Sequence, residues 1–212
     1  MSVTKKFDKK LFDANDPKAR ELAIKFFKKS QGFAAKPNPD KYGVDLLLFK
    51  EDKHVAFAEC EIKRVWKGKD FPYGSVQFPE RKAKYVYQNN LPVVFIMFNA
   101  DCNRALLVNG QDLLKSKLVQ VPNVYVKSEE CFFQVPLDKV TFIDIETTAA
   151  FAARLREVTG AGFEDIRKAI EKCGEDYDLC YEHLTRTGLA CVMKDEVRYP
   201  LWYERQNKNK GE

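Results

Sequence analysis

The chain has 212 residues, 45% hydrophobic, 13% aromatic and 32% charged, a composition that excludes wholesale disorder and fibrous classes. Its longest apolar run, Val93–Phe98, is far short of the ~20 residues a membrane-spanning helix needs. Lys+Arg number 36 against 31 Asp+Glu, a net charge of +5, and residues 1–100 alone carry 20 against 12. That basic surplus suits a polyanionic partner and gives no reason to invoke a membrane.

No apolar run follows Lys5 and Lys6, so a signal peptide is not expected and the chain is placed in the cytoplasm of a bacterium or as a phage product. The six cysteines contain no Cys-x-x-Cys pair and read as reduced, small buried hydrophobes. With only His54 and His183 available, neither at ligand spacing from a cysteine, zinc is not expected.

In chain order, Asp16 caps and Pro17 opens a helix whose apolar stripe is Ala19, Leu22, Ala23, Phe26 and Phe27. Phe33–Ala35 reads as a short strand and Asn38–Asp40 as a turn. Gly43–Phe49 and His54–Trp66 form a hairpin across a tight three-residue turn at Glu51–Lys53 or Asp52–His54. Gly68–Gly74 is a loop, Pro79–Asn89 a second helix and Pro92–Phe98 a buried strand, followed by another strand at Arg104–Val108. Short β-like runs occupy 115–145. From Thr147 the pattern changes to three short helices, Ala149–Val158, Phe163–Cys173 and Tyr177–Thr187, separated by glycine turns. A boundary is therefore expected near residue 148, giving units 1–148 and 149–190. The tail 191–212 is aromatic enough to pack back before it frays.

The hairpin concentrates the chemistry. Side chains alternate along a strand, so Glu59, Glu61 and Lys63 share one face, and either turn sets Asp45 opposite Glu59 or Glu61 on that face. Leu46, Leu48, Ala58, Cys60 and Ile62 point the other way into an apolar layer. Carboxylates at cross-strand spacing repel unless something neutralises them, and a divalent cation with hard oxygen ligands does so. Lys63 beside it suits positioning a water and stabilising charge in a transition state. Downstream, Arg64, Lys67, Lys69, Arg81 and Lys82 interleave with Trp66, Phe71, Tyr73 and Phe78, a pattern suited to tracking phosphates. For Phe78 and Tyr85 a core role is the better reading.

Gly43-Val44-Asp45 followed by Glu61-Ile62-Lys63 resembles the PD-(D/E)XK nuclease superfamily, and the element order over about residues 15–100 resembles its αβββαβ core. The resemblance implies an α/β, restriction-endonuclease-like fold and a Mg²⁺- or Mn²⁺-dependent nuclease acting on DNA rather than RNA. It implies Asp45 and Glu61 as metal ligands and Lys63 as the residue orienting the attacking water, with Glu59 as an auxiliary ligand and Gln77 as a phosphate contact. Some members add a glutamate from the first helix, here Glu21, but helical geometry sets it opposite the apolar stripe. Asp40 lies in a turn and is set aside. A double-strand break or a junction substrate would favour a homodimer.

Residues 155–170, Leu-Arg-Glu-Val-Thr-Gly-Ala-Gly-Phe-Glu-Asp-Ile-Arg-Lys-Ala-Ile, together with Gly174-Glu175-Asp176 and 183–190, resemble the N-terminal domain of elongation factor Ts. That resemblance implies a UBA-like three-helix module over 151–190 that binds a protein partner. Its Thr-Gly-Ala-Gly loop sets small residues before a helix N-terminus, where a partner's backbone can come close. Two rivals to the nuclease remain: a non-catalytic nucleic-acid platform on the same fold, and a translation-associated adaptor.

Overall fold

The computed structural model describes the backbone of residues 9–121, 130–194 and 197–200, and side chains over most of that span. The chain is mixed α/β and divides into two compact units, Met1–Ile145 and Glu146–Glu212. The division falls three residues before the expected boundary.

The first unit is organised by a six-stranded sheet in the order β1-β2-β3-β5-β6-β9. Its strands are β1 (Ala34–Pro37), β2 (Leu46–Lys50), β3 (Lys53–Lys63), β5 (Val93–Asn99), β6 (Arg104–Asn109) and β9 (Thr141–Asp144). β3 pairs antiparallel with β2 and parallel with β5, while β6 returns antiparallel. The parallel step requires a crossover, which holds β4 (Ser75–Pro79), a 3₁₀ turn at Glu80–Lys82 and helix α2 (Ala83–Gln88). A three-stranded sheet, β4-β8-β7, adds β8 (Glu130–Pro136) and β7 (Lys117–Val121), and α3 (Gly110–Leu114) follows β6.

β5 is buried at all but one of its positions, as expected for a strand with apolar layers on both faces. Alternation sends Ile96 and Phe98 to one layer, with Leu46, Leu48, Ala58 and Cys60 under the α1 helix (Lys9–Gln31). Phe95 and Met97 enter the other, with Trp66, Val76, Phe78, Val86 and Phe133. Fully burying one such side chain is worth roughly 1.5–3 kcal/mol, so these layers hold the sheet in place.

Several expectations are corrected. α1 starts at Lys9, upstream of Asp16, and Pro17 lies inside it. Proline there removes one intrahelical bond, which packing of Ala19, Ala23, Phe26 and Phe27 offsets. The segment ahead of the second helix is strand β4, and that helix shrinks to a 3₁₀ turn plus α2. β4's partner β8 is more than fifty residues away, a pairing no local pattern reveals. β3 ends at Lys63 rather than Trp66, and Asp45 lies just before β2. The hairpin turn has two residues, Glu51 and Asp52, between the paired Lys50 and Lys53.

In the second unit α4 (Thr148–Thr159), α5 (Phe163–Cys173) and α6 (Tyr177–Arg186) fall within one residue of the sequence reading. Phe151, Leu155, Ala161, Ile166, Ala169, Cys180, Leu184 and Ala190 form their core. Ala161 is therefore a core residue of the Thr-Gly-Ala-Gly loop, and Gly160 supplies the left-handed cap at φ 61°. The tail begins with a hairpin of β10 (Cys191–Lys194) and β11 (Val197–Pro200). The segment around Lys5 and Lys6, and the tail beyond Pro200 with Trp202 and Tyr203, lie outside the described residues.

Glu51 and Asp52 both adopt positive φ, 49° and 63°, in a region that disfavours ordinary side chains. Replacing the pair by Asn-Gly is expected to stabilise the first unit by about 1 kcal/mol. Chemical denaturation of the full chain checks this, and an unchanged or lowered midpoint would contradict it.

Candidate functional site: an acidic cluster on the central hairpin

The pairing Leu46↔Ala58 continues naturally to Asp45 opposite Glu59, one of the two alignments that alternation allowed. Asp45 sits in the bend between Val44 and Leu46, which enter different apolar layers. Its Oδ2 accepts the Cys60 backbone N–H at 2.8 Å, and its Oδ1 accepts Arg20 Nε from α1 at 2.9 Å. Both carboxylate oxygens are thus engaged.

Glu59 and Glu61 follow on the same face of β3, beside Phe95 and Met97 of β5. Lys82, from the 3₁₀ turn before α2, reaches between them. Its Nζ lies 3.1 Å from Glu61 Oε2 and 3.4 Å from Glu59 Oε1. The Lys82 side chain is 15% exposed, that of Glu59 12% and that of Glu61 38%.

The charges respond to this geometry. Burial pushes the Glu59 carboxyl from 4.5 up to about 7; Lys82 pulls against that, while the charge of Asp45 and a hydrogen bond with it add to it. Burial also acts on Glu61, but the cations Lys82 and Lys63 outweigh it and hold Glu61 below the usual range. For Lys82 the cost of desolvation is overcome by Glu61 and Glu59, which keep the ammonium charged. Tyr85 on α2 is pushed up by burial and by the nearby Glu59 charge, so its hydroxyl stays protonated against the cluster.

The structure therefore places Asp45, Glu59 and Glu61 along one face of the hairpin, with Lys63 close enough for its charge to act on Glu61. Glu21 is exposed and pairs with Lys25. Gln77 is exposed on β4 opposite Gln134. Arg64, Lys67, Lys69 and Arg81 are exposed, as phosphate-tracking residues must be, but Lys82 is not: two carboxylates engage it. Trp66 and Phe78 are fully buried and unable to stack on bases, whereas Tyr73 is exposed. Sequence reasoning misplaced Lys82 and passed over Arg20. Arg20 stands directly before Glu21, but no local pattern aims it at Asp45.

The donor set suits a hard divalent cation, since all of the candidate ligand atoms are carboxylate oxygens. Asp45 lies close enough to Glu59 for its charge to act on that carboxyl. Among the described residues, however, no three His, Cys, Asp or Glu side chains are gathered around a common point. Lys82 lies between two of the carboxylates instead.

No family model matches the chain, and no solved structure matches it. Among curated proteins it is similar to elongation factor Ts of Erythrobacter litoralis, 43% identical over 51 residues, which are 24% of this chain and 17% of that protein. It is likewise similar to elongation factor Ts of Desulfitobacterium hafniense, 43% identical over 53 residues, 25% of this chain and 24% of that protein. Part of the chain is thus related to elongation factor Ts, and the chain spans less than a quarter of either relative's length.

The raised Glu59 carboxyl makes stability depend on pH. Between about pH 4.5 and 7 the folded protein holds a proton that the unfolded chain releases, so stability falls as pH rises through that window. One such group contributes at most ~1.4 kcal/mol per pH unit. Glu61, held low, contributes in the opposite sense and only below this window. Glu59→Gln is expected to flatten the profile, as read by denaturant titrations from pH 4.5 to 8. A slope kept in the variant would mean that another group is responsible.

Proposed function

We propose that the first unit is a divalent-metal-dependent nuclease that hydrolyses phosphodiester bonds, with DNA as the preferred substrate and the helical unit as its partner-binding module. The observation that carries this reading is the alignment of Asp45 with Glu59, followed by Glu61 and Lys63 on the same face of a strand paired on both sides. The connectivity supports it. Helix α1, the antiparallel run β1-β2-β3, helix α2 and then β5 parallel to β3 are similar to the αβββαβ order of the PD-(D/E)XK nucleases, with β4, a strand of the second sheet, inserted before α2.

Asp45 and Glu61 are the ligands in this reading, with Glu59 auxiliary. When bound, the Mg²⁺ or Mn²⁺ supplies charge neutralisation at the scissile phosphate and makes water more acidic. Lys63, next to Glu61 on β3, orients the attacking water and stabilises the negative charge that develops on the phosphate. Arg20 fixes the Asp45 carboxylate through one oxygen, and the Cys60 N–H fixes it through the other. Exposed Arg64, Lys67, Lys69 and Arg81 hold the flanking phosphates; such contacts weaken as salt rises.

A second reading has its own support. Arg20 and Lys82 already neutralise much of the acidic cluster, and part of the chain is related to elongation factor Ts, which favours a non-catalytic adaptor that binds nucleic acid or a translation factor. Residues 151–190 carry 6 Lys+Arg against 8 Asp+Glu, which suits contact with a protein better than with phosphates.

A panel of duplex, junction, single-stranded and RNA substrates, assayed with Mg²⁺ or with EDTA, separates the two readings. The nuclease reading expects metal-dependent cutting that Asp45→Asn and Glu61→Gln abolish. It expects Lys63→Ala to lower turnover by two or more orders of magnitude, about 3 kcal/mol, with little loss of affinity. Cutting by either carboxylate variant at the wild-type rate would remove the assignment. An uncut panel together with co-purification of elongation factor Tu would favour the adaptor.

A further inference from the structure

Lys82 enters the acidic cluster from outside the strands that build it. Its backbone belongs to a 3₁₀ turn whose neighbours Glu80 and Arg81 are exposed, while its ammonium lies between Glu59 and Glu61. A buried ammonium is tolerated only when carboxylates surround it, and two adjacent carboxylates on one strand face need a cation between them. The need is mutual.

A divalent ion would draw on the same oxygens. Mg²⁺ demands oxygen ligands at about 2.0–2.1 Å, while Lys82 Nζ now sits 3.1 and 3.4 Å from these two carboxylates. A doubly charged ion and an ammonium sharing one carboxylate pair would repel strongly in this half-buried setting. Arg20 is placed differently: it comes from α1, and its Nε donates to Asp45 Oδ1. Lysine has a flexible four-carbon stem, so its head can leave while the turn stays in place.

We propose that Lys82 is a resident counter-cation: it holds Glu59 and Glu61 in the metal-free protein and is expelled from the cluster when a divalent ion binds. The proposal rests on the metal-dependent reading above. It makes metal affinity a competition, with Lys82 a positioning residue whose release accompanies loading of the site.

The test is calorimetric titration of Mn²⁺ into the full chain and its Lys82→Gln variant, without nucleic acid, alongside melting temperatures. Removing the competing ammonium is expected to tighten Mn²⁺ binding by about tenfold or more and to lower the metal-free melting temperature. A lowered melting temperature with unchanged or weaker Mn²⁺ affinity would make Lys82 a structural ion-pair partner and overturn the proposal. Should Lys82→Gln fail to fold, amine acylation of the wild-type protein with mass-spectrometric readout replaces it. Acylation of Lys82 should rise with Mn²⁺ while that of exposed Lys18 stays constant, and no rise at Lys82 overturns the proposal. Mn²⁺ binding to neither protein would bring down the metal-dependent reading itself. Equal binding to both would remove only the role of Lys82.

Discussion

Three carboxylates placed on one edge of a hairpin are a problem that the rest of the first unit has to solve. Glu59 and Glu61 lie beside Phe95 and Met97 of β5, with Asp45 across from Glu59 on the other side of β3, and an unpaired charge in such a setting costs several kcal/mol. The answer comes from both sides of the sheet. α1 sends Arg20 to Asp45, and the crossover between β3 and β5 sends Lys82 to the two glutamates. A parallel β3–β5 pair needs such a crossover in any case, so the topology that builds the sheet also delivers the cation.

The helical unit obeys different constraints. Its core gathers small and medium apolar side chains around Phe151, and its helices are bounded by local devices. Thr147 accepts the Ala150 N–H, Asp176 accepts the Leu179 N–H, and buried Thr159 bonds both the Leu155 carbonyl and the Ala161 N–H. Such a unit encodes its fold in a short stretch of sequence. The similarity to elongation factor Ts likewise extends over only some fifty residues.

That contrast also explains what was legible beforehand. The three C-terminal helices could be placed because capping residues and glycine turns are local signals. The hairpin face carrying Asp45, Glu59, Glu61 and Lys63 could be read because alternation is local too. β4 escaped notice because its partner β8 lies far along the chain, so the segment just before the second helix that holds Gln77 could not be read as a strand. Lys82 and Arg20 escaped for a related reason. A lysine in a basic stretch reads as solvated, and only the fold of the crossover turns its ammonium toward two glutamates.

Asn99, at the end of β5, is a buried polar side chain whose burial asks for a reason. Its Oδ1 accepts the N–H groups of Asn103 and Arg104, and its Nδ2 donates to the Gly68 carbonyl and to Asn103 Oδ1. One amide therefore fastens the segment leaving β3 to the turn between β5 and β6, next to the end of the strand that carries Lys63. The loop bearing Lys67 and Lys69 is consequently anchored at Gly68, its midpoint, to a rigid strand. A ligand that meets these lysines would find them already ordered at their base, with the entropy of arranging them spent during folding instead of at the encounter.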